Sequence, residues 1–231
     1  MSVSINTVYQ RVLAITNKEQ RGYITPQEFN YMANQAQLDI FEQYFYDLNQ
    51  FARIPGNGTE YSDMLNILEE KISLFEKARQ TVTNGVTLPN DVYRLGSVMY
   101  NNIEAESVSQ KEWLYIKNSP LSKPSNNFPI YIRDGETNAI KVYADSITSN
   151  ETANVTCNYI KAPEKVEWGY DATTGLYDSD SSKTTDFELH ASEETELVIK
   201  ILAMAGIVLK DPGLYQIGTA EDVKNVQQEK A

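Results

Sequence analysis

The stretch TPQEFNYMANQAQLDIFEQYFYDLNQF, residues 25–51, constrains the fold more than any other part of the chain. Thr25 reads as an N-cap, Pro26 as the first helical residue, where its missing N–H costs nothing, and Glu28 as the partner that closes a capping box. Beyond them Phe29, Met32, Ala33, Ala36, Ile40, Phe41, Tyr44, Leu48 and Phe51 recur at helical spacing, which predicts one long helix with a single apolar stripe. That stripe must be buried against other elements, and the flanking sequence supplies them. Ile5, Val8, Val12 and Ile15 predict a preceding helix, and Leu65, Leu68, Ile72 and Phe75 predict a third over 61–79, after the breaker Ile54-Pro55-Gly56-Asn57-Gly58.

At Thr81 the periodicity changes. Val82, Val86 and Leu88 flank Asn84-Gly85, a pair suited to a type I′ turn, so a small hairpin is expected there. Val98-Met99-Tyr100 and the segments 128–133, 139–143 and 154–160 read as strands, with a short helix over 108–116 carrying Trp113. Residues 169–186 read as a polar, acidic loop. Ser192, followed by Glu193, Glu194 and Glu196, begins a helix whose stripe is Leu197, Ile201, Leu202, Ala205 and Leu209, and Asp211-Pro212-Gly213 ends it before a last, polar helix over 214–231. The expected class is α+β, a helical bundle from the N- and C-terminal segments with an inserted small antiparallel β domain. Its parts are 1–80, N-terminal helices; 81–168, β-rich insertion; 169–191, acidic loop; and 192–231, C-terminal helices that complete the bundle and reach a neighbour.

A hydrophobic content of 41% over 231 residues is enough for a core without covalent staples. Cys157 is the single cysteine, so an intramolecular disulfide is impossible and a reducing compartment is expected. The opening MSVSINTVYQ lacks the basic and apolar regions of a signal peptide and no run is long and apolar enough to span a bilayer, so the expectation is a soluble chain with no membrane partner. The net charge is −12, and residues 169–197 hold one lysine against eight carboxylates. That distribution disfavours a direct grip on a nucleic-acid backbone.

Few patterns carry chemistry. Residues 17–28 can be laid on a calcium-binding loop with Asn17, Glu19, Gly22, Ile24 and Glu28 in register, but Arg21 puts a cation where an oxygen ligand belongs, and the helix start explains Pro26 and Glu28 without a metal. In Asp178-Ser179-Asp180-Ser181-Ser182 the residue where that loop needs glycine is Lys183. His190 is the only histidine, no nucleophile elbow or phosphate loop occurs, and Cys157 lies within a strand pattern. The N-x-T triplets at Asn57, Asn150 and Asn154 mean little in a chain without a secretory signal. No catalytic, cofactor-binding or metal site is assigned, and the expectation is a protein that is not an enzyme. Trp113, Trp168, Tyr170, Tyr177 and Tyr215 are possible partner anchors among fifteen tyrosines in the chain, and Leu214, Tyr215, Ile217, Val223 and Val226 form the candidate interface of the last helix, read as too polar for a core and ordered on binding.

NKEQRGYITPQEFNYMANQAQLDIFE over 17–42, LPNDVYRL over 88–95, FPIYIRDG over 128–135, CNYIKAPEKVEW over 157–168 and HASEETELVIKILAMAGIVLKDP over 190–212, in this order, resemble the head-to-tail connector proteins of short-tailed bacteriophages. The likeness is to the tail tubular protein A or adaptor type, and within it to ring proteins of crAss-like phages. The resemblance implies a virion protein of the phage neck or tail, made in the host bacterial cytoplasm. It implies a homo-oligomeric ring, twelvefold by that likeness, docked to the portal and to other tail or ring proteins, with genome DNA passing through without specific binding. Two rival expectations are a calcium-responsive module built on residues 17–28 and a tail-associated glycan hydrolase using paired carboxylates.

Overall fold

The computed structural model describes residues 2–16, 24–51, 64–119, 121–135, 138–146, 149–171, 176–178, 180, 182–208 and 212–229; the side chains of residues 51, 64, 207, 208, 212–214 and 225–229 lie outside that description. The described elements, in chain order, are β1 (Ser2–Val3), α1 (Ile5–Thr16), α2 (Pro26–Phe51), α3 (Met64–Ser73), β2 (Glu76–Thr81), β3 (Val92–Tyr100), β4 (Ile103–Ser107), α4 (Gln110–Asn118), β5 (Ile130–Asp134), β6 (Ala139–Tyr143), β7 (Val155–Lys161), β8 (Phe187–His190), α5 (Glu194–Val208) and α6 (Pro212–Glu229). The class is α+β. Two compact units divide it: Met1–Leu74 with Pro163–Ala231, and Phe75–Ala162.

In the first unit α2 begins as its sequence requires. The Thr25 N–H donates to Glu28 Oε2 at 2.9 Å and the Glu28 N–H donates to Thr25 Oγ1 at 3.3 Å, closing the capping box. Phe29, Met32, Ala33, Ala36, Ile40, Phe41 and Tyr44 are buried, joined by Ile5, Val8 and Val12 of α1, Leu68 and Ile72 of α3, and Leu197, Ile201 and Ala205 of α5. Ile15, expected on the buried face of α1, is exposed. Asp186 caps α1, its Oδ1 accepting from the Ile5 N–H at 2.9 Å, and β1 pairs antiparallel with β8 beside it.

A second stripe on α2 is polar and organises the returning chain. Asn30, Asn34 and Gln37 sit at i, i+4 and i+7, on one helical face. Asn34 Nδ2 donates to the Val166 carbonyl at 2.9 Å while its Oδ1 accepts from the Val166 N–H at 3.0 Å. Asn30 Oδ1 accepts from the Trp168 N–H at 2.9 Å, Gln37 Nε2 donates to the Glu164 carbonyl at 2.8 Å, and Gln37 Oε1 accepts from the Glu188 N–H at 3.1 Å. Side-chain amides thus do for an extended segment what a neighbouring strand does in a sheet.

The second unit is built on a six-stranded sheet of order β2-β7-β3-β4-β5-β6. It is mixed rather than wholly antiparallel: β4 and β5 run parallel, with Glu106 opposite Ile130, because α4 lies in the connection between them and returns the chain to the same end. The third predicted helix stops at Ser73, and Glu76–Thr81 is a strand whose Glu76 and Lys77 lie opposite Ile160 and Tyr159 of β7. Pairing with β7 overrides the helical preference of EKARQ. Asn84 and Gly85 have φ of 53° and 64° and form the expected turn, with the Val86 N–H donating to the Thr83 carbonyl at 3.1 Å. The chain beyond that turn bonds to β6, the Ile140 N–H donating to Val86 O at 2.8 Å and the Leu88 N–H to Asn138 O at 3.1 Å, so the two ends of the strand order meet. Inside lie Val82, Leu88, Val98, Tyr131, Ile140, Val142, Val155, Cys157 and Tyr159.

Two measurements check this packing. Asn34→Ala leaves both polar groups of the Val166 backbone without their partner and lowers stability by about 2–4 kcal/mol, read as a lower urea midpoint at unchanged slope. Tyr159 donates to Asp91 Oδ1 at 2.9 Å, and burial, reinforced by that hydrogen bond and charge, pushes its pKa up to about 12. A phenol raised above its unfolded value contributes stability that is present below pH 10 and lost as pH rises towards about 12. In alkaline titration, Tyr159→Phe therefore removes one late tyrosinate absorbance step, near pH 12, from the folded chain.

Candidate functional site

The C-terminal segment, expected to order only on binding, is a helix already packed on α5. Gly218 makes the approach possible: a Cβ there would stand 2.9 Å from both Cα and Cβ of Ala203. Lys200 Nζ lies 3.0 Å from Asp222 Oδ1 and 3.5 Å from Glu196 Oε1. Burial alone would lower the lysine's pKa, but the hydrogen bond and charge of Asp222, together with Glu196, outweigh it and hold the ammonium above its ordinary value. Of the candidate interface residues, Tyr215, Ile217 and Val223 are exposed. The side chains of Leu214 and Val226 lie outside the described residues. At 3.6 residues per turn Ile217 and Val223 fall on opposite flanks of α6, so the structure does not gather them into one stripe.

The acidic segment divides in two. From Asp186 onward its carboxylates are committed inside the first unit. Besides Asp186 at the start of α1, Glu188 Oε2 accepts from the Glu164 N–H at 2.9 Å, Glu194 Oε1 lies 2.9 Å from Arg11 Nη1, and Glu193, only 3% exposed, lies 2.7 Å from Lys71 Nζ. Lys71 also lies over the Tyr44 ring, 5.4 Å from its centroid. Within the 3₁₀ turn Ala191–Glu193 the first two residues stay exposed and Glu193 alone is buried, its charge matched by the lysine of α3. Upstream, Tyr170 and Tyr177 bridge antiparallel, making 169–178 a short ribbon rather than a plain loop; its residues 172–175 lie outside the described set. Asp171 and Asp180 are exposed there. The Asp178 carboxylate, 2.7 Å from Lys183 Nζ, is held below the usual aspartate range by that hydrogen bond and by the Asp180 N–H.

Aromatic side chains link this ribbon to the core. Tyr9 packs between Phe29 at 4.7 Å and Trp168 at 4.3 Å, and Trp168 in turn lies 6.1 Å from Tyr170 and 5.6 Å from Tyr177. Trp168 is buried and donates from Nε1 to Asn6 Oδ1 at 3.2 Å, so it is a core residue, while the two tyrosines are partly exposed. In the second unit Trp113 of α4 stacks on Tyr143 at 4.3 Å. A capping box of Ser109 and Glu112 starts α4, and Ser109's backbone and side-chain hydrogen bonds keep the Glu112 carboxyl low in pKa. No residue of α4 is buried, and Leu114, Tyr115, Leu121 and Phe128 are all strongly exposed. On α2, Tyr31, Leu38 and Tyr46 line the face turned to solvent.

The remaining sequence candidates find other roles or lie outside the described residues. Residues 17–23 of the calcium-loop reading are outside, and the Glu28 carboxylate is engaged by Thr25. Among the described residues no cluster of three or more His, Cys, Asp and Glu side chains is placed to hold a metal. His190 caps the 3₁₀ turn, its Nδ1 accepting from the Ser192 N–H at 3.3 Å, and Ser192 Oγ donates to Glu193 Oε1 at 2.8 Å. Serine therefore sits between histidine and carboxylate, an order unlike the acid–base–nucleophile relay. Cys157 is buried, and burial, with the nearby Asp91 charge, pushes its thiol pKa up. The amide stripe of α2 and the outward face of α4 were not singled out in the sequence, although Asn30/Asn34/Gln37 and the continuous run Trp113-Leu114-Tyr115-Ile116 carry their signals.

No protein-family model matches this chain, and no curated protein matches it.

The docking of α6 is directly testable. Gly218→Val forces it off α5, and amide hydrogen exchange in 215–222 accelerates at least about tenfold while α2 is unaffected. Asp222→Asn destabilises at neutral pH, where Lys200 is fully charged. The difference from wild type fades only as pH rises above the ordinary lysine value of 10.5 and through the raised folded value.

Proposed function

We propose that this chain is a structural virion protein that forms a ring in the head-to-tail connector of a short-tailed phage, joining portal to tail around the channel through which DNA leaves. Its partners in this reading are further copies of itself, the portal and other tail or ring proteins, and it performs no turnover. It is made in the bacterial cytoplasm and resides in the neck or tail of the particle.

The observation that carries the reading is the distribution of exposed apolar side chains. They lie on separate elements, the outer face of α2, α4 with the chain after it, the acidic ribbon and the flanks of α6. A subunit that closes a ring presents different surfaces to its two neighbours and further surfaces above and below, because head-to-tail contacts are heterologous. The order of the segments that resemble connector proteins supports the same reading, as does the α+β architecture with a β unit inserted between helical segments. A net charge of −12 suits a wall past which DNA must slide, since adhesion to the duplex grows with the number of phosphates neutralised.

Electron microscopy of the assembled particle tests this. The expected outcome is density for the chain in a symmetric ring on the tail axis next to the portal. Its absence from purified particles, or a position away from that axis, overturns the proposal.

A further inference from the structure

Two short helices each leave an apolar face uncovered, and the charges around the two faces are opposite. In α4, Trp113 and Ile116 are half-buried, with Trp113 stacked on Tyr143, whereas Lys111, Leu114, Tyr115 and Asn118, at i, i+3, i+4 and i+7, form the other face. Leu114 is 60% and Tyr115 67% exposed, and the chain that follows adds Leu121 at 95% and Phe128 at 78%. A concentration of exposed apolar side chains on one helix and its flank marks an interaction surface. Lys111, Lys117 and Lys123 are exposed around it and meet no carboxylate among the described residues, while the lone acid of α4, Glu112, is engaged by the helix cap. The face is therefore cationic in a chain of net charge −12.

The complement is on α3. Its inner side holds buried Leu68 and Ile72, and its single cation, Lys71, is committed inward to Glu193, 2.7 Å away. Ile67, Glu70 and Leu74, at i, i+3 and i+7, share the outer side, with Ile67 36% and Leu74 46% exposed. Glu69 and Glu70 are exposed, and no ion pair or side-chain hydrogen bond engages either carboxylate among the described residues. The two helices also match in length: ten residues in α3 and nine in α4 give each a face roughly 15 Å long at about 1.5 Å per residue.

We propose that α4 and the chain after it dock on the outer face of α3 of a second copy of this chain, forming the contact between neighbours in a ring. The inference rests on the ring reading above and specifies its partner surfaces. Leu114 and Tyr115 against Ile67 and Leu74 supply the desolvated centre, and Lys111 and Lys117 against Glu69 and Glu70 set its register and reject other pairings. The two surfaces differ, so the contact is heterologous and propagates from copy to copy until a ring closes.

Sedimentation velocity of the full chain from low-micromolar to near-millimolar concentration tests the contact. Wild type is expected to sediment faster as concentration rises. Lys111→Glu with Lys117→Glu, and separately Glu69→Lys with Glu70→Lys, each weaken self-association by about tenfold or more while circular dichroism stays unchanged. The glutamate variant is the sharper of the two, because it lowers the net negative charge of the chain and would strengthen association if overall repulsion alone decided it. An equimolar mixture of the two charge-reversed chains restores association. Leu114→Ser with Tyr115→Ser, which leaves the charges intact, abolishes it too and serves as the check if a charge variant folds poorly. Association equal to wild type in these variants overturns this contact and leaves the ring reading standing. A wild-type chain that remains monomeric at every concentration also overturns the contact, and the position of the chain in the particle then decides the ring reading separately. Association that appears only with double-stranded DNA and is lost in the lysine variant overturns it as well and reassigns the patch to nucleic acid.

Discussion

The hydrogen bonds from Asn30, Asn34 and Gln37 to the backbone of 164–168 and to Glu188 are the constraint on which the first unit depends. A chain that leaves a helical layer, builds a sheet and returns must bring an extended segment back against helices. Glu167 pairs with Thr185 in an isolated antiparallel bridge, but the backbone groups of Glu164, Val166 and Trp168 need other partners. α2 solves this by placing amides, each able to donate and accept, along one face at the pitch of the helix. With that segment held, Val166 and Trp168 point into the core, Trp168 meets Tyr9, and β8 is delivered to β1 and to the start of α5.

Committing carboxylates to the interior has a consequence for function. Much of the negative charge in the C-terminal third reads as a surface feature in the sequence, but Asp186 caps α1 and Glu193, Glu194 and Glu196 hold cations of the same unit. The ribbon before Asp186 carries exposed Asp171 and Asp180 next to partly exposed tyrosines. The surface that could meet another molecule is therefore smaller and more aromatic than the charge count alone implies.

The elements most legible in the sequence were those whose local signals agree. The capping box of α2, the Asn84-Gly85 turn, β6 and the start of the fifth helix combine cap, turn or alternation signals with burial on one face. Elements set by distant partners were not legible. β2 has six exposed residues and no strand alternation, and only β7 makes it a strand. The two-residue β1 and the four-residue β8 are too short to show a period. The Asn101-Asn102 turn, with φ of 50° and 64°, joins β3 to β4 without a glycine to announce it. Of the candidate site, the exposure of Tyr215, Ile217 and Val223 followed from the weak amphipathicity of α6. Its docking through Gly218 did not, because close helix approach depends on the small residue Ala203 in the facing element.

If the amide stripe of α2 is the interaction that fixes the returning chain, its signature is in the amide protons it binds. Native-state hydrogen exchange at Val166 and Trp168 reads this directly, since each N–H donates to one α2 side chain. The account predicts that both exchange only through global opening, with protection equal to that of the buried turns of α2. Exchange as fast as that of Ser182 or Lys183 in the exposed turn would show that the stripe does not hold the segment, and would contradict the account.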